Sequence, residues 1–404
     1  MDELPIGRRV AYWRGRRKMS QQQFADAIGK SKSWVDKIER GLRSLDKLST
    51  LEAIADALRV DLRMLLGREI DRDAGANGLL DTASGNAVRG ALTRWGPVQV
   101  PGDQEVPTLA TVGKAVTHAW LSYQYARYAE LVRSLPRLLA DAQRVRATSP
   151  CTDAAYCLAE AYQLASVVMG KVGAADLAWL AADRAMAASQ DAGDQLLTGA
   201  CAVQLGHALL AQGQALHAME IGVAVAHQIA PPDPLDAPAT HLSVYGTLLL
   251  AAARAAAALV DPDGAAELLG QAAEAAAIIG NGQDHYRTTF GPTVVELARI
   301  ATAVELGDGG TLDPTAHQRL IEGAAFRRLP PERRAAYLLD AARGFLQASD
   351  LDRAGQAVVS ADRVAAAEVR ARPVGHELLA TLLRRSPAPG PDVLRLAEDV
   401  GVRV

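Results

Sequence analysis

Between Ser20 and Gly41 the chain reads SQQQFADAIGKSKSWVDKIERG, and few folds can accommodate that stretch. Phe24, Ala25 and Ile28 recur at helical spacing behind Ser20, a side chain suited to cap the first turn. Gly29 supplies the left-handed backbone that a tight turn needs, Ser31 is placed to cap a second helix, and Gly41 ends it. Val35 and Ile38 mark the buried face of that second helix. Lys30, Lys32, Ser33, Trp34, Lys37 and Arg40 remain to face outward. Two short helices joined by a sharp turn, with cations and hydroxyls along the second, suit the major groove of DNA.

The order Gln21, Ala25, Gly29, Ser31, Val35, Ile38, Glu39 and Gly41 resembles the helix-turn-helix of the phage-repressor-like (XRE-type) family. Residues 6 to 66, closing with LRVDLRMLL, span the five-helix, lambda-repressor-like module of that family. The resemblance implies that the start of the second helix reads bases, which maps onto Lys32 and Ser33, with Lys37 one turn further on. Lys32 and Lys37 suit guanine O6 and N7, and Ser33 is adaptable. By the same resemblance Gln21 binds a phosphate, and Arg40 and Arg43 sit where the family contacts the DNA backbone. Lys30, Ser31 and Trp34 complete the expected DNA-facing set, Trp34 either meeting a thymine methyl or sugar or packing on the preceding helix. Glu39 is expected to pair with a nearby arginine rather than read a base. A first helix from Pro5 to Lys18 should place Val10 and Trp13 behind this unit. Arg14, Arg16, Arg17 and Lys18 form a basic cluster expected to approach phosphates.

Charge supports the division. Residues 1–68 carry 15 Lys and Arg against 9 Asp and Glu, whereas the whole chain has 43 against 46, so the remainder is left with 28 against 37. A basic head on an acidic body fits a nucleic-acid binder with a separate regulatory or assembly domain. At 404 residues more than one domain is expected. The most apolar run, Thr247 to Val260, is interrupted by Arg254 and too short for a bilayer, and the N-terminus MDELPIGRRV has no apolar segment of a secretory signal. A cytoplasmic protein without a membrane partner is expected. Cys151, Cys157 and Cys201 fit no metal spacing and read as small buried apolar residues.

From Arg68 to about Pro107 the phrases GANG, SGN, WGP and PGDQEVP are turn signals, and residues 69–110 read as a linker with room for a short helix in Ala87 to Trp95. Residues 111–388 are a succession of Ala- and Leu-rich helices, and 389–404 read as a tail. First helices of successive pairs begin near Asp153, Asp194, Thr240, Pro292 and Pro331. Gly173-Ala174-Ala175, Gly213-Gln214-Ala215 and Gly264-Ala265-Ala266 open the second helices alike. Small residues at such steps let helices approach closely, as a helical-hairpin solenoid requires. The pattern resembles degenerate tetratricopeptide (TPR) repeats, with periods longer than about 34 residues. The fold class is therefore all-α, a DNA-binding head followed by a TPR-like solenoid.

AWLSYQYARYAELVRSLPRLL near Trp120, FGPTVVELARIATAVELGD from Phe290, LPPERRAAYLLDAARGF and EVRARP resemble phrases of actinobacterial regulators that join such a head to a TPR-like body. One departure is Val294, where relatives often have Asn after Gly-Pro-Thr, so any polar role tied to that Asn is not carried over.

No catalytic constellation stands out: there is no HExxH, no GxSxG, no phosphate loop at Gly170-Lys171, and His118, His207, His217, His227, His241, His285, His317 and His376 are scattered. No cofactor or metal is expected, and the protein is not expected to be an enzyme. Aromatics make up only 4% of the chain, so local clusters carry weight. Trp120 and Tyr123 form one candidate ligand wall, and His285, Tyr286, Arg287, Thr289 and Phe290 another, the HYRTTFGPT segment offering donors, a ring and a rigid turn together. The function expected is sequence-specific transcriptional regulation by a homodimer on a palindromic double-stranded DNA operator, with the TPR-like domain taking a peptide or small-molecule effector. The alternative is a TPR-type interaction adaptor whose head does not act on DNA; it has no need of Lys32, Lys37 and Arg40 on one face.

Overall fold

The computed structural model describes residues 6–17, 19–41, 82–94, 106–308 and 312–402, with Thr50, Ala53, Ile54, Ala57 and Leu58. The chain divides into two compact units, Met1–Asp73 and Ala74–Val404. Among the described residues every regular element is helical.

The first unit holds α1 (Ile6–Arg16), α2 (Gln21–Ala27) and α3 (Lys32–Glu39). Val10, Phe24, Ala25, Val35 and Ile38 are buried, as are Ile54 and Leu58 from the segment that follows. Helix α1 crosses α3 in near backbone contact at Gly7, where a Cβ would stand 2.0 Å from the Ile38 carbonyl oxygen. The fourth and fifth helices expected from the sequence lie otherwise outside the described residues, as does Arg43.

The second unit opens with α4 (Thr82–Leu92). Its Val88, Ala91 and Leu92 are buried in the same apolar core as the helices downstream, and Gln143 donates to the Ala91 carbonyl at 2.9 Å. Part of the expected linker is therefore a helix of this domain. Hairpins follow: α5 (Leu109–Gln124) with α6 (Tyr128–Thr148), α7 (Thr152–Lys171) with α8 (Ala175–Ala192), and α9 (Gln195–Ala211) with α10 (Ala215–Gln228). Then come α11 (Ala239–Ala258) with α12 (Pro262–Ile279), and α13 (Pro292–Glu305) with α14 (Pro314–Glu322) and the short α15 (Ala324–Arg327). Last are α16 (Pro331–Gln347) with α17 (Leu351–Val364), the short α18 (Ala366–Arg370), and α19 (Pro373–Arg385) with α20 (Pro391–Val400). The expected C-terminal tail is thus largely α20, which buries Val393, Leu396 and Val400.

The turns inside the hairpins repeat one device. Ala126, Gly173, Gly213, Val260, Gly307 and Ser349, spaced 40 to 47 residues apart, all have positive φ. In each case the next amide reaches back to the last turn of the preceding helix: Arg127 to Ser122, Ala174 to Met169, Gln214 to Leu209, Asp261 to Ala256, Asp308 to Ala303, Asp350 to Phe345, at 2.8–3.0 Å. This is the helix-ending bond that a left-handed residue permits. The repeat register therefore differs from the one the Gly-Ala-Ala phrases suggest. Val260 is the counterpart of Gly173 and Gly213, while Gly264 lies inside α12, its N–H capped by Asp261 at 2.9 Å.

First helices of neighbouring hairpins touch in the order α5, α7, α9, α11, α13, α16, and α16 returns to α5, whereas among the described residues successive second helices make no comparable contact. The first helices thus make an inner layer that closes on itself. Gly199 and Gly222 allow the close approach expected of small residues: a Cβ on Gly199 would lie 2.7 Å from Val244 Cγ1, and one on Gly222 would lie 3.1 Å from the Ala252 methyl. The closure is partly polar. Tyr123 donates to Glu332 at 3.2 Å, Lys171 pairs with Glu332 and, at 2.9 Å, with Glu368, and Glu368 also takes Tyr128 and Arg372. Burial, then the neighbouring carboxylates, pushes both tyrosines well above their ordinary pKa. Burial alone would raise Glu332, but the Lys171 ammonium outweighs it with help from Arg333 and Arg372, and the carboxyl is held low.

Candidate nucleic-acid interface

The head builds its exposed face from its caps. Ser20 and Gln23 form a reciprocal capping box at the start of α2, each side chain bonding the other's backbone N–H at 3.1 and 2.8 Å. Gly29, at φ +62, ends that helix and lets the Lys30 amide return to Ala25 at 2.9 Å. Ser31 then caps α3 by accepting from the Trp34 amide at 3.2 Å. Its hydroxyl accepts there in starting the helix and keeps its own hydrogen as a donor.

At about 100° per residue, Lys32, Asp36, Arg40, Ser33 and Lys37 fall within an arc of about 140° on α3. Lys32, Ser33, Lys37 and Arg40 are exposed there, Val35 and Ile38 are buried on the other side, and Glu39 is buried at the edge of the arc next to Lys32. Trp34 is half-buried at the margin, with the Lys30 ammonium 5.9 Å from its ring centre. Arg40 touches Asp36 at 3.4 Å, but both side chains are well exposed, so the pair is weak and a phosphate can replace it.

Behind this face lies a carboxylate hub. Glu39, 6% exposed, accepts Arg14 Nε at 2.6 Å and the second Arg14 nitrogen at 3.1 Å, and it also accepts the Gln21 amide at 2.9 Å. Arg14 further donates to the Met19 carbonyl at 2.6 Å. The expectation that Glu39 pairs with an arginine holds. Two others need correction. Arg14 is tied inside the head, and Arg17, though exposed, donates to the Leu58 carbonyl at 2.8 Å, so neither is a free member of a phosphate-facing cluster. Arg16 is exposed beside Tyr12, at 3.1 Å from its hydroxyl. Gln21 spends one amide hydrogen on Glu39 and keeps a second donor. Sequence reasoning missed that one carboxylate fixes α1, α2 and α3 together; the only available signal was an acidic residue on the buried side of α3.

With that geometry in view, the profile described as helix-turn-helix domain matches residues 5–66. Within that span α2 and α3, the two helices joined at Gly29, have the helix-turn-helix arrangement. A curated relative, an immunity repressor protein of Bacillus phage phi105, is 38% identical over 66 residues, which is 16% of this chain and 45% of the relative. The chain thus spans less than half the length of that relative. A solved structure, that of Bacillus thuringiensis PlcR in complex with the peptide PapR7 and DNA, is similar at 11% identity over 68% of this chain and 95% of that one, with a TM-score of 0.32. A likeness that low carries no argument here.

The residues expected to wall a ligand pocket are placed differently. Trp120 and Phe290 are core residues, at 3% and 1% exposure, and the Phe290 ring fills the space in front of Gly246, where a Cβ would stand 2.0 Å from its Cζ. Tyr123 packs edge-on to Trp120 with ring centres 5.8 Å apart, its hydroxyl on Glu332. Tyr286 donates to Asp194 at 2.9 Å, and Arg287 lies 3.6 Å from Glu160, whose carboxyl burial pushes up against the pull of that guanidinium. Thr289 bonds Asp284 through its amide at 3.0 Å, and Asp284 also accepts from Gln124 at 3.1 Å. His285 Nε2 is buried without a hydrogen bond among the described residues. Tyr286, Arg287 and Thr289 all take positive φ. HYRTTFGPT is thus a strap pinned to three earlier hairpins, not an open wall. Of the cysteines, Cys157 and Cys201 are buried as expected and Cys151 is exposed at the start of α7.

Proposed function

We propose that this chain is a sequence-specific DNA-binding transcriptional regulator that inserts α3 into the major groove. The observation that carries the reading is the separation of roles on that helix. Lys32, Ser33, Lys37 and Arg40 share one exposed arc, while Glu39, buried at the edge of that arc, is consumed by Arg14 and Gln21. A scaffold helix has no need to gather cations on its free face. Lys32 and Ser33 at its N-terminal end and Lys37 one turn further on are the base readers, and Arg40 adds a phosphate contact, with Gln21's second amide hydrogen at the entry. One such helix covers few base pairs, so a two-fold dimer on a palindromic site supplies the specificity. The helical array is the effector-binding part, and occupancy of its inner layer sets operator affinity.

The test is a mobility-shift series on DNA from the protein's own upstream region and on an unrelated fragment, across salt. Selective binding that falls steeply with salt, and that Lys32→Ala/Lys37→Ala abolishes without altering the circular dichroism, is the expected result. Unchanged binding by the double variant would remove α3 from the interface. A genome-wide DNA capture that returned no enriched site would favour the adaptor.

A further inference from the structure

Three helices of the inner layer run parallel in a register that side chains define. Gln163 of α7 donates to the Ala200 carbonyl of α9 at 3.0 Å, and Gly199 of α9 faces Val244 and Leu248 of α11. Eight residues onward, about 12 Å along each axis, the same alignment brings Lys171, His207 and Arg254 to one height. A fourth cation joins them from α16, because Lys171 is held against Glu332, the neighbour of Arg333. Arg254 is exposed and Arg333 half-buried, and neither has an ion pair or a carbonyl acceptor among the described residues. Of the carboxylates in reach, Glu332 and Glu368 are already shared by Lys171 and Arg372, and Asp340 also acts on Arg372. The group Lys171, Arg254, Arg333 and Arg372 against those three acids still leaves one positive charge over.

His207 reports on the site. Its side chain is exposed, and burial, then Arg254, Arg333 and Lys171, push its pKa down to about 3. Lys171, His207, Arg254 and Arg333 can all be reached from solvent, and an excess of positive charge there draws an anion.

We propose that Lys171, His207, Arg254 and Arg333 form a binding site for a small effector bearing an oxyanion, phosphate or carboxylate. The guanidiniums of Arg254 and Arg333 offer planar paired donors, Lys171 a point charge, and the neutral His207 ring a single donor or acceptor. This inference names the chemistry of the effector and rests on the reading of the array as the effector-binding part.

The experiment is calorimetric titration of the full chain at low ionic strength with pyrophosphate and, separately, with citrate, while the His207 ring is followed by NMR after assignment with His207→Gln. Saturable binding of at least one anion, tracked by His207 and weakened about tenfold or more by Arg254→Gln and by Arg333→Gln, is expected. Arg137→Gln, at an exposed position on α6, serves as the charge-matched control and should bind normally. Pyrophosphate alone binding would assign phosphate, citrate alone carboxylate. If neither anion moves His207, or if both arginine variants bind as tightly as the wild type, the site is overturned. Operator affinity measured in the same samples separates the two readings: an anion that binds at His207 without changing DNA binding leaves the site standing and sinks effector control.

Discussion

Replacing Glu39 by Ala should destabilise the head while leaving the helical array unchanged. The change removes three hydrogen bonds at 2.6, 2.9 and 3.1 Å and leaves the Arg14 guanidinium, 18% exposed, with Met19 alone as partner. Breaking one side of a buried pair costs about 3–5 kcal/mol when water is shut out, because the surviving charge is uncompensated. Arg14 retains some access to water, which places the loss near the lower end, about 3 kcal/mol, or roughly a hundredfold in the folding equilibrium of the head. Hydrogen exchange by mass spectrometry on the full chain separates the two units. Peptides covering residues 6–41 should exchange about a hundredfold faster in Glu39→Ala, and peptides from α7 to α12 at the wild-type rate. Lys32→Ala/Lys37→Ala, a change to exposed cations on the same helix, should leave both sets unmoved. Exchange of the head at the wild-type rate in Glu39→Ala would refute the hub and reduce the Arg14 contact to a surface ion pair.

Val260→Gly should raise stability by about 1 kcal/mol, read as a higher thermal midpoint, because a β-branched residue sits at φ +59 and is 77% exposed, with little packing to lose. Gly7→Ala should destabilise the head by about 1–3 kcal/mol in urea unfolding, since its methyl would meet the Ile38 carbonyl. His207 in the folded chain resists protonation down to about pH 3, so below an unfolded pKa of about 6.5 the unfolded chain binds the extra proton and stability falls with pH. His207→Gln should flatten that part of the stability–pH curve, and a slope identical to the wild type would show that other groups set it.

The head was legible because its local signals agree: caps at Ser20 and Ser31, the glycine turn at 29, and apolar residues at helical spacing all select the same geometry. What escaped was long-range. Arg14 and Glu39 are 25 residues apart, and nothing in spacing says that an arginine in a run of cations turns inward. In the second unit, helix existence was plain but register was not, because Gly264 imitates a turn residue while Val260 performs that role at a steric cost. The short helix expected within Ala87 to Trp95 starts earlier, at Thr82, its first turns masked by Thr, Ser, Gly and Asn, and its placement in the core comes from Val88 and Leu92. The two ligand walls expected, one at Trp120 and the other at His285 to Phe290, have their large rings packed for the opposite reason: in an alanine-rich core such rings are the filler, and Gly246 is the hole that Phe290 occupies.

Tandem helical hairpins ordinarily behave as one-dimensional chains in which each unit senses only its neighbours, so that ends fray and segments melt in sequence. The contacts of Tyr123 with Glu332 and of Tyr128 with Glu368 join residues 209 and 240 positions apart. They convert the array from a string to a loop. Its first and sixth hairpins should then melt together, a hairpin deleted from the middle would break the closure rather than shorten the array, and folding must wait for the two ends to find each other, which makes it slow for an all-helical domain.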